Sequence, residues 1–127
     1  MKALVVDDSR AVRMMLKRML RELGFDECEE AGHGGEALVR LDEMLTALPD
    51  VMLVDWNMPE MNGLELIRAV RADPTRRDIP IVMVTTETEV EQVVRALAAG
   101  ASEYVMKPFT KDVIQDKLDL LGIVPVG

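Results

Sequence analysis

Four short apolar runs in this chain each end on a residue with a reactive head group, and that pattern narrows the fold more than any other feature. Ala3-Leu4-Val5-Val6 runs into Asp7-Asp8, and Val51-Met52-Leu53-Val54 into Asp55. Ile81-Val82-Met83-Val84 runs into Thr85-Thr86, and Tyr104-Val105-Met106 into Lys107-Pro108. Runs of this length, rich in β-branched residues and bounded by turn formers, read as buried strands. Stretches of helical period separate them, which predicts parallel strands in one sheet. The carboxyl ends of such strands share one edge, where open α/β sheets bind their ligands. Asp7, Asp8, Asp55, Thr85 and Lys107 are thereby expected in one small pocket.

The rest of the chain fills in this frame. A helix is expected from about Ser9 to Leu23, with Val12, Met15, Met19, Leu20 and Leu23 on its apolar face and Gly24 closing it. Glu27 to Ala31 reads as a weak strand whose acidic residues suit a sheet edge. Gly34-Gly35 opens a helix that buries Leu38, Leu41, Met44 and Leu45 and ends before Pro49. Trp56 to Gly63 is rich in turn formers. The next helix turns Leu64, Ile67 and Val70 inward and stops near Asp73-Pro74. A further strand is expected from about Pro80 to Thr85. The helix after it holds Val90, Val93, Val94 and Leu97 and ends at Gly100. A last strand spans about Glu103 to Met106. The final helix, about Lys111 to Leu121, presents Val113, Ile114, Leu118 and Leu121. This makes five βα units in series, a single-domain α/β chain over residues 1–127 with no room for a second domain after Leu121.

Composition excludes several classes. The net charge of −8 argues against non-specific nucleic-acid binding, which needs clustered Lys and Arg. Arg10, Arg13, Lys17, Arg18 and Arg21 do cluster, but within one helix, where solvation and local ion pairing account for them. Cys28 is the single cysteine, so no internal disulfide forms. No apolar run approaches the roughly 20 residues that span a bilayer, and Met1 leads straight into a strand with no signal-peptide pattern. A cytoplasmic monomer is expected. His33 lacks companion metal ligands and reads as a surface residue. The ten methionines read mostly as core filler, with Met58 and Met61 as candidate contact residues.

Clustered carboxylates repel one another without a counter-ion. Mg²⁺ suits such a site, since it takes one or two carboxylates and shares its shell with phosphate. Asp55 beside a metal is a candidate nucleophile for an aspartyl-phosphate. Lys107 and the Thr85 hydroxyl would face the phosphoryl oxygens. The main-chain carbonyl of Asn57 is a candidate further ligand.

This arrangement resembles the receiver domain of two-component response regulators, along the whole chain. Asp7-Asp8, Asp55, Thr85 and Lys107-Pro108 carry the likeness in the family's order and spacing. Within the family it is similar to the single-domain chemotaxis regulators. Asp55-Trp56-Asn57-Met58-Pro59, Val84-Thr85, Gly100-Ala101-Ser102, and Tyr104 through Lys107-Pro108-Phe109-Thr110 carry that likeness. The resemblance implies a flavodoxin-like doubly wound (βα)5 sheet with strand order 2-1-3-4-5. It implies Mg²⁺ on Asp7, Asp8, Asp55 and the Asn57 carbonyl, and transfer of a phosphoryl group from a sensor histidine kinase to Asp55. Thr85 and Tyr104 would act as the switch, with Lys107 on the phosphoryl group. Asn57 and Glu87 would tune its loss, and Lys107-Pro108 would be cis. The implied output is a target protein such as the flagellar motor switch. Thr86, where a small residue is common in the family, would narrow access to the pocket, and Glu103 would add negative charge beside Tyr104.

Two alternatives keep the family: a receiver of another two-component pathway, or the receiver piece of a transcriptional response regulator. Two others leave it. A phosphotransferase acting on small molecules would need a second Asp two residues past the nucleophile, where Asn57 stands. A flavin carrier would need a phosphate-cradling loop where Asp7-Asp8 would repel phosphate. The chain is therefore expected to be a phosphoacceptor switch and not an enzyme.

Overall fold

The computed structural model describes residues 1–58, 60–86 and 90–125. Its elements alternate: β1 (Lys2–Val6), α1 (Arg10–Glu22), β2 (Glu27–Ala31), α2 (Gly34–Glu43), β3 (Val51–Asp55), α3 (Gly63–Ala72), β4 (Ile81–Thr86), α4 (Val90–Ala99), β5 (Glu103–Lys107) and α5 (Lys111–Leu120). The strands form one sheet in the order β2-β1-β3-β4-β5, and every neighbouring pair is parallel. This is the flavodoxin-like α/β fold, with β2 at one edge as its acidic residues suggest.

The two-residue period of the strands divides the core between the two faces of the sheet. Leu4, Val6, Met52, Val54, Ile81 and Met83 pack with Leu41, Ile67, Val70 and Ala96 from α2, α3 and α4. Ala3, Val5, Leu53, Val82, Val84 and Val105 pack with Leu16 and Leu20 of α1 and Ile114 and Leu118 of α5. Every residue of β3 is buried, as expected of a central strand covered on both sides.

Several helix faces depart from the expected ones. In α1 the inward residues are Leu16 and Leu20, with Val12, Met19 and Leu23 packed beside them; Met15 is 48% exposed. Positions 15 and 16 both fit the spacing from Val12 and both are apolar, so only packing separates them. In α4 the buried residues are Val93 and Ala96. Val90, Val94 and Leu97 are 57%, 64% and 42% exposed, so most of the apolar stripe faces outward. Leu45 and Val113 are likewise exposed. Helix α2 ends at Glu43, earlier than Pro49 alone would dictate.

Local capping explains the helix starts. Ser9, Asn62 and Thr110 each accept a backbone N–H of the first turn, and Asn62 with Glu65 forms a reciprocal capping box. His33, half-buried, caps α2: its Nδ1 accepts the Glu36 N–H at 3.1 Å. Met58 and Met61 are half-buried and pack against the core cluster. Arg71 ties the bottom of the fold together. Its guanidinium donates to the carbonyls of Gly100, Arg77 and Ile79 at 2.9, 2.6 and 2.6 Å.

Candidate functional site

The site lies at the carboxyl ends of β1, β3, β4 and β5. Asp7 follows β1, Asp55 ends β3, Thr85 lies at the end of β4, and Lys107 ends β5. The register makes Thr86 the partner of Lys107 across the last strand pair. Asp7, Asp55 and Thr85 are 1%, 5% and 1% exposed, whereas Asp8 is exposed. The turn after β3 closes tightly onto the site. A Cβ at Gly63 would lie 2.6 Å from the Asp55 carbonyl oxygen, so only glycine permits this approach.

Carboxylate oxygens of Asp7, Asp8 and Asp55 all lie within 4.8 Å of one another. Lys107 Nζ donates to Asp55 Oδ1 at 3.1 Å and stands 3.6 Å from Asp7 Oδ2. Asp7 Oδ1 accepts the Ser9 N–H at 2.8 Å. Its Oδ2 is buried and has no hydrogen-bond partner among the described residues. A buried carboxylate oxygen in that state is costly unless something else satisfies it. Three converging carboxylates with one such open oxygen fit a hard divalent cation, which takes oxygen ligands of this kind.

The electrostatics agree. Burial, then the neighbouring charge of Asp7, pushes the Asp55 carboxyl up to about 6, although Lys107 opposes the shift. Burial likewise raises Asp7 against the Ser9 hydrogen bond and Lys107. Burial alone would lower the Lys107 ammonium, but Asp55 and then Asp7 outweigh it and hold it above its ordinary value.

All of the expected carboxylates, Thr85 and Lys107 thus come together. Asn57 lies two residues past Asp55 with an exposed side chain. Tyr104 is half-buried against the core, one strand over from Met83. The Lys117 ammonium sits 4.4 Å from its ring centroid and 3.2 Å from Glu103 Oε1. Glu103 is therefore paired and not a free negative charge beside Tyr104. The Lys107-Pro108 bond is cis, as the resemblance implies. Glu87 and Pro59 lie outside the described residues.

One contributor escapes the sequence reading. Arg13, expected to serve solvation and local ion pairing, does pair with Glu30 at 2.8 Å but also donates to the Asp7 carbonyl at 2.7 Å. Glu30 also pairs with Lys17. No local signal marks this contact, because it depends on how α1 docks across β1 and β2.

Comparison with known proteins agrees with this site. The chain belongs to the response regulator receiver domain family, whose sequence model matches residues 3–119. It is 48% identical over 121 residues to chemotaxis protein CheY1 of Helicobacter pylori, covering 95% of this chain and 96% of that protein. It is 50% identical over 125 residues to a chemotaxis protein CheY homolog of Campylobacter jejuni, covering 96% and 93%. The solved chemotaxis response regulator CheY4 of Vibrio cholerae superposes with a TM-score of 0.84 at 38% identity, covering 94% of this chain and 97% of that one. Within its family the chain is a CheY-like chemotaxis regulator of a two-component system. It is a phosphoacceptor signalling protein rather than a catalytic enzyme. Among the described residues, no helix is long and apolar enough to cross a membrane.

Proposed function

We propose that the chain works as a phosphorylation-driven binding switch, with Asp55 accepting a phosphoryl group from a histidine of a sensor kinase. The observation that carries this reading is the convergence of Asp7, Asp8 and Asp55 within 4.8 Å beside the Lys107 ammonium. In the transfer, an Asp55 carboxylate oxygen bonds to phosphorus as the phosphorus–nitrogen bond of the phosphohistidine breaks. The electron pair leaves with the imidazole, which takes up a proton. Asp55 must be ionised to attack, and with its pKa pushed to about 6 it is largely carboxylate at neutral pH.

Asp7, Asp8, Asp55 and the Asn57 main-chain carbonyl would hold Mg²⁺, which when bound offsets negative charge on the phosphoryl oxygens. Lys107 pairs with a phosphoryl oxygen, acting as a flexible point charge. Thr85 donates its hydroxyl to the phosphoryl group and carries its arrival to Tyr104. Asn57 and Glu87 set how fast the phosphoryl group is lost.

The output surface in this reading is the face of α4, β5 and α5, where Val90, Val94, Leu97 and Val113 are exposed. Its target is a chemotaxis partner such as the flagellar motor switch. The whole chain, residues 1–127, acts as one receiver domain, a cytoplasmic monomer that binds no nucleic acid.

Incubation with acetyl phosphate and Mg²⁺, read by intact mass, tests the chemistry. One added phosphoryl group is expected, absent in Asp55→Asn and absent with a chelator. Full labelling of Asp55→Asn would remove the assignment.

A further inference from the structure

We infer that Arg13 is a positioning residue for the acidic cluster: it locks the Asp7–Asp8 peptide plane, and so holds Asp8 beside Asp55 for metal binding. The inference rests on the reading of that cluster as a Mg²⁺ site.

Asp7 is held at nearly every polar atom. Its N–H donates to the Ala31 carbonyl at 3.1 Å. Its Oδ1 accepts the Ser9 N–H at 2.8 Å, and its carbonyl accepts Arg13 at 2.7 Å. Only Oδ2 is left without a hydrogen bond, and it is among the oxygens converging at the site. Asp8 differs. It is exposed, and among the described residues neither a hydrogen bond nor an ion pair holds its carboxylate. Its position is inherited from the backbone.

The Asp7 carbonyl and the Asp8 N–H belong to one rigid peptide unit, so fixing the carbonyl oxygen fixes the plane from which Asp8 departs. Without that restraint, rotation of the plane would let Asp8 swing away and relieve its repulsion with Asp7 and Asp55. Arg13 suits the task because its planar fork makes two bonds in fixed directions. One goes to the Asp7 carbonyl and the other anchors on Glu30 of β2, at 2.8 Å. Glu30 sits opposite Val5 in the β1–β2 register, so the anchor belongs to the sheet itself. The Arg13 side chain is only 16% exposed, which keeps the fork in place.

Lys17 provides the control. It also pairs with Glu30, but no contact joins it to Asp7. Both side chains carry one positive charge near an acidic, cation-binding site. Simple electrostatics therefore predicts that removing either should tighten Mg²⁺ binding slightly. Positioning predicts the opposite sign for Arg13 alone.

The test measures Mg²⁺ affinity from Trp56 fluorescence in the full chain for the parent, Arg13→Ala, Arg13→Lys and Lys17→Ala. Arg13→Ala should bind Mg²⁺ about tenfold more weakly, the lower range for losing a group that orients a metal ligand. Arg13→Lys, which keeps the charge but not the fork, should fall between. Lys17→Ala should match the parent or bind more tightly. In phosphorylation by acetyl phosphate, the half-saturating Mg²⁺ should rise with the same factor for Arg13→Ala, while the rate at saturating Mg²⁺ stays near the parent's. With chelator present, amide exchange at Asp8 and Ser9 should speed up in Arg13→Ala and not in Lys17→Ala. Equal or tighter Mg²⁺ binding by a folded Arg13→Ala would overturn the inference. If Arg13→Ala does not fold, Arg13→Lys decides on the same readouts. A parent that binds no Mg²⁺ would instead overturn the metal reading. The exchange comparison in chelator would then still decide whether Arg13 holds the turn.

Discussion

Lys107 and Asp55 meet across 52 residues of sequence, with the ammonium 3.1 Å from the carboxylate oxygen and also 3.6 Å from Asp7. Among the described residues Lys107 is the one cation paired with these carboxylates; burial, and then the charge of Asp7, raises the Asp55 pKa, and the excess negative charge fits a divalent ion.

Removing that cation should expose the repulsion. Lys107→Met is expected to destabilise the metal-free protein by about 1–2 kcal/mol. That is less than the 3–5 kcal/mol typical when a fully buried pair is broken, because the Lys107 side chain keeps some solvent contact. Mg²⁺ should restore more stability to the variant than to the parent. Urea melts in chelator and in Mg²⁺ measure both; equal midpoints for variant and parent in chelator would show that Lys107 does not offset the carboxylates.

The Asp55 carboxyl gives a pH signature of definite sign. Its pKa is raised from 3.8 to about 6, so the folded state holds this proton more tightly than the unfolded chain. Its contribution to stability is therefore full below the unfolded value and lost as pH rises through about 6. Metal-free protein should gain stability as pH falls from about 7 to about 5, by about 1 kcal/mol after allowing for solvent screening. Asp73, Glu30 and Asp26 are shifted the other way, so they lose their contribution only at lower pH. Thermal melts in chelator against pH should show a larger gain in the parent than in Asp55→Asn, where the raised Asp7 carboxyl keeps a share of it. A parent without it would place the Asp55 pKa near the ordinary carboxylate value.

The strands and their polar ends were legible because β-branched runs between turn formers are a local signal, and a parallel sheet needs no more than that to gather its carboxyl ends. The start of α1 at Ser9 was legible for the same reason, whereas the caps at Asn62 and Thr110 appear only in the folded chain. Helix faces were less legible. Met15 and Leu16 are interchangeable to a hydrophobic count, and a turn of about 100° per residue separates them. In α4 the small side chain of Ala96 faces the sheet while Val94 and Leu97 point out, and hydrophobicity alone assigns the reverse. Arg13 and Arg71 were invisible because each binds main-chain carbonyls that only the tertiary fold brings near.

Coupling should be separable from chemistry at Thr85. This residue is 1% exposed at the end of β4, one strand from Lys107. Thr85→Ala is expected to be phosphorylated by acetyl phosphate at close to the parent rate. The change that phosphorylation causes in amide exchange over α4, β5 and α5 should shrink, by about the 1–3 kcal/mol that couples two sites in typical switches. A shift of population demands a group that contacts the two states differently, and this hydroxyl supplies one. An undiminished exchange response in Thr85→Ala would remove the threonine from the coupling.

The acidic cluster should store repulsion that Mg²⁺ releases. The ion binds the folded site and not the unfolded chain, so it should stabilise the protein by about 2.7 kcal/mol at one hundred times its dissociation constant. Neutralising one carboxylate should act in two opposed ways. Asp55→Asn removes a buried charge that lies beside Asp7, and should raise the melting temperature in chelator, by about 1 kcal/mol or more in stability. Asp8→Asn should do the same to a smaller degree, because Asp8 is exposed and its charge is better screened. Both substitutions should shrink the increment from Mg²⁺, since each takes away an oxygen ligand of full charge. Melts of parent and variants at matched ionic strength, with Mg²⁺ and with chelator, measure the two effects apart. A parent indifferent to Mg²⁺, with variants that melt lower in chelator, would mean that these aspartates serve the β1 and β3 turns as caps and hold no ion.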